Sequence, residues 1–219
     1  MRLVEFLHRQ TNEEINSLES SARSLVDFPE AGWDIRMWLA RQCSDESRHA
    51  AMFRRLLERR GGHIGQFPVL NFQYRIIVKI ANLIGRLTIQ NRSFEAGGID
   101  AIAFGIKEAN HDGDSELAEL YEAQLADEIV HVRFANEWVR GHSQNKPSTL
   151  LQIGAALNSA SKAFFQVMGK EGTEGAGFPA DSTGRLEAGF SEDEIQVASD
   201  MALTAHTASH SESGALSMK

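Results

Sequence analysis

Two stretches of this chain, 82 positions apart (124 − 42), carry one pattern, Q-x-x-D-E-x-x-H. The first is Gln42, Asp45, Glu46 and His49; the second is Gln124, Asp127, Glu128 and His131. Both lie in proline-free segments of helical period. Residues three apart on a helix share nearly one face, one turn along, so each stretch aims a carboxylate and an imidazole at one place. Carboxylates on an inward stripe are costly to bury unless something balances their charge. A Glu-x-x-His pair from each of two helices, with a Glu from each of two more, is the ligand set of carboxylate-bridged di-metal sites in four-helix bundles. The chain must then supply two further helices with one glutamate each.

Pro29, Pro68, Pro147 and Pro179 divide the sequence into long blocks that proline does not interrupt. The periodicity predicts a first helix over about 4–27, with Leu7, Thr11, Glu14, Leu18, Ser21 and Leu25 inward. Phe28 to Gly32 turn the chain. A second helix is expected over about 33–60, with stripe Leu39, Gln42, Glu46, His49, Phe53 and Leu56. Gly61 and Gly62 end it. Residues 61–82 are long enough to cross a bundle, so the third helix (about 82–109) is free to run parallel to the second; an apolar piece at 74–80 is a further helical candidate. Asn110 to Asp114 turn and cap the fourth helix, about 115–140, with Leu117, Tyr121, Gln124, Glu128, His131, Ala135 and Trp138 inward.

The expected fold is all-α: a ferritin-like four-helix bundle of two antiparallel hairpins and a long crossover over 1–141. An extension over 142–206 packs on it, and 207–219 form a disordered Ser-, His- and Ala-rich tail. Within the extension, 150–167 read as a helix. The glycines from Gly169 to Gly189 mark irregular chain, and Ser191 to Glu194 form a capping box opening a short helix.

The hairpins repeat. Shifting by 81 places Glu95 onto Glu14, and the lone carboxylate precedes its motif glutamate by 32 residues in one half (46 − 14) and 33 in the other (128 − 95). Positions equidistant from a hairpin turn are level, so Glu14, Glu46, His49, Glu95, Glu128 and His131 fall in one slab. Glu19 is the rival to Glu14 on the first helix, and Asp100 its counterpart after Glu95.

Four carboxylates and two imidazoles make an oxygen-rich set suited to Fe(II), Mn(II) or a mixed pair, and four negative charges balance two divalent cations. Asp45 and Asp127 are candidates for orienting the imidazole of the neighbouring motif, because metal-bound histidines donate their second N–H to such groups. Gln42 and Gln124 are candidates for bonding the ligand carboxylates. Gly97 and Gly98 each cost roughly 1 kcal/mol against Ala inside a helix. Either they leave room beside the metals or they permit close helix packing. Tyr121 is either a redox-active neighbour or a core ring.

Composition removes other classes. One cysteine, Cys43, excludes a disulfide, a Cys-x-x-Cys pair and a four-cysteine metal centre. A net charge of −8 disfavours nucleic acid. No apolar run reaches membrane-spanning length, and the N-terminal stretch, broken by Glu5 and His8, does not read as a signal peptide. A cytoplasmic protein is expected.

The motifs resemble the ferritin-like di-iron carboxylate superfamily, and within it a largely uncharacterised bacterial ferritin-like family. The matching residues are Glu14 to Glu19, Phe28-Pro29, Glu46 to His49, Gly65 to Pro68, Phe94-Glu95 and Asp127 to His131, with an echo at 185–190. The first helix departs from that pattern by being polar around Glu14. The resemblance implies a cofactor of two iron ions, Fe/Fe or Mn/Fe. It implies dioxygen activation to oxidise or hydroxylate a small organic substrate, with an external electron donor. A homodimer is an allowed assembly. The alternatives are ferroxidase or iron-handling activity, and tRNA hydroxylation.

Overall fold

The computed structural model describes residues 2–173 and 178–200. The fold is all-helical. Its helices are α1 (Arg2–Asp27), α2 (Trp33–Arg59), α3 (Phe72–Ile77), α4 (Leu83–Ile89), α5 (Ala96–His111), α6 (Ser115–Ser143), α7 (Pro147–Thr173) and α8 (Ser182–Glu187), with a further helical stretch at 192–200. No helix among the described residues is long and apolar enough to cross a membrane.

α1 and α2 pack along their length as an antiparallel hairpin, as do α5 and α6 across the turn at Asp112 and Gly113. Gly113 takes φ +73°, and the Asp114 side chain caps α6 by accepting from Leu117 N at 3.2 Å. Two apolar layers lie at opposite ends of α2 and α6. One joins Leu7 of α1, Phe53 and Leu56 of α2, Ala109 of α5 and Leu117 of α6. The other joins Ile35 and Leu39 of α2, Leu83 and Leu87 of α4, and Phe134 and Val139 of α6. α2 and the α4–α5 segment therefore run the same way, and the connector after Arg59 leads from the first layer to the second, carrying α3 on the way. The polar residues of the repeated motif lie between these layers.

The third rod is not one α-helix. Gln90–Glu95 form a π-helical turn between α4 and α5. Such turns close i→i+5 bonds and gather side chains that an α-helix would fan out. Here Gln90, Asn91 and Glu95 all become buried.

α1 also differs from expectation. Leu7, Thr11, Glu14 and Ser21 of the expected stripe are buried, but Leu18 and Leu25 are only half-buried, and His8, Asn16, Ser17, Ser20 and Ser24 join the buried face. Several of these hydroxyls serve their own helix: Ser20 Oγ donates to the Asn16 carbonyl at 2.7 Å and Ser24 Oγ to that of Ser20 at 3.0 Å.

α7 lies on α3 and α4 through Ile76, Ile77, Ile89, Ala156 and Ala160. The glycine-rich stretch expected to be irregular is partly helical, since α7 runs on to Thr173 and α8 begins at Ser182. The capping box is present: Glu194 N donates to Ser191 Oγ at 3.2 Å, and Ser191 N to Glu194 Oε2 at 2.9 Å. The expected tail, 207–219, lies outside the described residues.

Candidate metal centre

The structure brings Glu14, Glu46, His49, Glu95, Glu128 and His131 into one interior cluster, with exposures between 0 and 6%. They form two overlapping groups: Glu14, Glu46, His49 and Glu128, and Glu46, Glu95, Glu128 and His131. In each, one ligand atom per residue lies within 4.8 Å of all the others, so each group could hold a metal ion.

Glu46 and Glu128 belong to both groups, and their two oxygens part company. Glu46 Oε2 lies 3.2 Å from His49 Nδ1 while Oε1 lies 3.5 Å from His131 Nδ1. Glu128 Oε1 lies 3.6 Å from His49 Nδ1 and Oε2 lies 3.5 Å from His131 Nδ1. Glu14 reaches the His49 side only, with Oε2 at 3.4 Å from Nδ1. Two carboxylates span the pair of sites and two sit at its ends.

The outward nitrogen of each imidazole meets an aspartate from the other motif. His49 Nε2 lies 3.1 Å from Asp127 Oδ2, and His131 Nε2 lies 3.2 Å from Asp45 Oδ2. Such contacts fix ring orientation and leave Nδ1 inward. Arg48 ties both together, donating to Asp45 Oδ1 at 3.0 Å and to Asp127 Oδ2 at 2.5 Å. Gln124 Nε2 donates to Glu14 Oε1 at 2.9 Å, and Gln42 Nε2 donates to Glu95.

Other partners carried no sequence signal. Ser17 Oγ donates to Glu46 Oε1 at 2.8 Å and contacts Glu95 Oε1 at 2.9 Å. Gln90 and Asn91 reach Glu95 at 3.1 and 2.7 Å. Gln10 Nε2 donates to Glu14 Oε1 at 2.5 Å. These are scattered single residues on one face, and the π turn that unites Gln90, Asn91 and Glu95 has no motif of its own.

Two expected members lie elsewhere. Glu19 is exposed, because its position falls on the outer side of α1. Asp100 is buried but turned to the C-terminal extension: it receives Arg185 Nε at 2.9 Å, Arg185 Nη2 at 2.6 Å and Asp181 N at 2.8 Å. It anchors α8 and does not reach the cluster's ligands. Tyr121 packs between Phe6 and Phe53, ring centroids at 6.4 and 6.1 Å, and burial pushes its hydroxyl pKa up.

The donor set suits cations. Burial, helped by the charges of Glu46 and Glu128, pushes Glu14 up to about 8 against the pull of His49. Burial likewise pushes Glu95 up to about 8, with Glu128 and Glu46 adding to it. Glu128 is raised by the same burial and by Glu46. Burial also acts on Glu46, but its bond to His49 and the charge of His131 hold it below the ordinary value. Burial opposes the charge on His49, yet Glu14 and Glu46 raise it to about 11. Glu128 Oε2 and His131 Nδ1 are buried with no hydrogen-bond partner. No Lys or Arg ion pair reaches the four glutamates among the described residues. The side chains that reach the four glutamates are neutral amides, a hydroxyl and the two imidazoles; divalent cations would balance the charge and take up the unpaired atoms as well.

On the opposite side from Arg48, α1 and α5 stand apart. A groove of about 1080 Å³ fills the gap and reaches Glu14, Glu46, Glu95 and Glu128. Its α1 wall is the stripe Leu3, Phe6, Gln10, Glu13 and Ser17; its α5 wall includes Gly97, Gly98, Ala101 and Phe104. A Cβ added at Gly97 or Gly98 would meet nothing within 4 Å, so these glycines border open space and do not serve close helix packing. Gly105 does serve it: its Cβ would lie 2.8 Å from Tyr121 Cε2. Burial pushes Glu13 up to about 7, with Arg9 drawing it back, and its Oε2 has no hydrogen-bond partner.

No curated protein and no solved structure matches the chain. A family model described as "Protein of unknown function (DUF455)" matches residues 2–196. That span holds every residue of the cluster and all the groove walls named above, and the chain belongs to that family.

Proposed function

We propose that this chain is a ferritin-like di-metal oxidoreductase, holding two iron ions or a manganese–iron pair, that uses dioxygen to hydroxylate a small organic substrate. The observation that carries the reading is the pair of shared carboxylates: Glu46 and Glu128 each turn one oxygen to His49 and the other to His131. Glu14 would complete the His49 side and Glu95 the His131 side. When bound, such a metal pair supplies a place for dioxygen to bind and be reduced.

The protein's own part is to hold and to exclude. Asp127 and Asp45 orient the two imidazoles, and Gln42, Gln124 and Ser17 fix the carboxylates. The two apolar layers keep water from the ends of the cluster, leaving the groove beside Gly97 and Gly98 as the way in. Overall, R–H, dioxygen, two electrons and two protons give R–OH and water. The electrons come from an external donor, since Cys43 is the only cysteine and burial pushes its thiol up to about 11.

The aromatic-walled groove favours this reading over iron storage, which requires passage only for ions. The net charge of −8 argues against tRNA. The test is anaerobic loading with Fe(II), then oxygen consumption with a chemical reductant. The reading predicts about two metals per chain and uptake that depends on them; absence of bound metal rejects it.

A further inference from the structure

The groove combines three kinds of lining. Next to the metal cluster it is polar, with Gln10, Glu13 and Ser17 on α1. It also has aromatic walls: Phe6, Phe72, Phe94, Phe104 and Phe178 line it, and Phe104 and Phe178 meet at 5.5 Å between ring centroids. Near the α5–α6 turn it is acidic. Arg60 is held by Asp114 at 2.7 Å and by Glu116 at 3.4 Å, which leaves Glu108 and Asp112 on that rim against the exposed Arg9. The volume suits an organic molecule of drug size.

Glu13 is the uncommitted group in this space. It is the neighbour of Glu14 in sequence but points to the groove, outside both candidate metal groups. Its Oε2 is buried with no hydrogen-bond partner, and no ion pair reaches it among the described residues. Each of the cluster's other polar neighbours on α1, Gln10 and Ser17, is already bonded to a cluster carboxylate. A carboxylate left unpaired in a groove with aromatic walls selects a ligand that brings a cation or a strong donor. Aromatic faces also favour cations over anions.

We propose that the groove takes a cationic amine with an aromatic or apolar body, and that Glu13 is the specificity-determining residue that pairs with its ammonium. The proposal rests on the groove being the substrate site of the oxidoreductase described above. The acidic rim repels carboxylates and phosphates and draws the amine in.

The test compares three probes of one shape on the purified full chain by calorimetric titration: 2-phenylethylamine, 2-phenylethanol and 3-phenylpropionate. Each is measured on metal-free protein and on protein loaded anaerobically with Fe(II). The amine is expected to bind at least about tenfold tighter than the alcohol, and the carboxylate weakest. Glu13→Gln should bring the amine to the level of the alcohol without changing alcohol binding or metal content. Gly97→Leu, which fills open space, should abolish binding of both amine and alcohol while leaving the metals bound. Equal binding of amine and alcohol, an amine preference that survives Glu13→Gln, or amine binding that survives Gly97→Leu overturns the proposal. Two bound metals with no amine preference overturn the substrate class alone; an amine preference in a chain that binds no metal supports it while rejecting the oxidation reading.

Discussion

The two sides of the buried cluster are built on different plans. On the α2–α6 side, each imidazole is backed by an aspartate of the opposite motif, and Arg48 binds both aspartates at the surface. On the α1–α5 side, Glu14 and Glu95 are held by neutral amides and a hydroxyl, and beyond them lies open volume bordered by glycine. The first side is closed and crossed by charge pairs; the second is loosely walled and accessible. The difference teaches that a near-symmetric sequence repeat can make an asymmetric cluster, in which one side is locked by charge pairs and the other borders open volume.

Substitutions sharpen that contrast. The shared carboxylates should matter most: Glu46→Ala or Glu128→Ala should remove both bound metals, whereas Glu14→Ala or Glu95→Ala should remove one, as read by elemental analysis. On the closed side, Asp127→Asn or Asp45→Asn should weaken metal affinity by about 10–100-fold, because the imidazole loses its orienting partner. Similar affinity loss from Glu19→Gln, which is exposed, would break the assignment. On the open side, Gly105→Val should destabilise by about 1–3 kcal/mol in chemical denaturation through its clash with Tyr121, while Gly97→Ala should be neutral or stabilising by up to about 1 kcal/mol.

The remaining effect is one of pH. Glu14 and Glu95 in the metal-free fold have pKa values near 8, above the ordinary 4.5. A folded-state pKa raised above the unfolded one gives stability that is full below the unfolded value and fades as pH rises through the folded value. Metal-free protein should therefore lose thermal stability between about pH 4.5 and 8, and metal-loaded protein should lose less over that window. A metal-free Tm that rises across this range contradicts the protonated cluster.

Much of this was legible in the sequence, and for a definite reason. Q-x-x-D-E-x-x-H sets the cluster residues and their neighbours by helical spacing alone, so the pairing of Asp45 and Asp127 with the opposite histidines is legible in it. Level placement about the turns gave Glu14 and Glu95. The rest depends on relations that spacing does not encode. An α-helical period through Gln90–Glu95 hides the π turn that turns Gln90 and Asn91 toward Glu95. Asp100 looks equivalent to Glu19 by register, but Arg185, 85 residues later, claims it. Glu13 lies off the α1 stripe that faces the cluster; a second stripe, through Leu3, Phe6, Gln10 and Ser17, lines the groove with it.

The most direct test is the metal content of the intact chain after anaerobic Fe(II) loading and removal of free ions, measured beside the Glu46→Ala/Glu128→Ala double variant. Two equivalents per chain in the wild type and none in the double variant is the predicted result. A wild-type chain that retains no metal, or a double variant that retains as much as the wild type, would contradict the claim that the buried carboxylates and imidazoles exist to hold a metal pair.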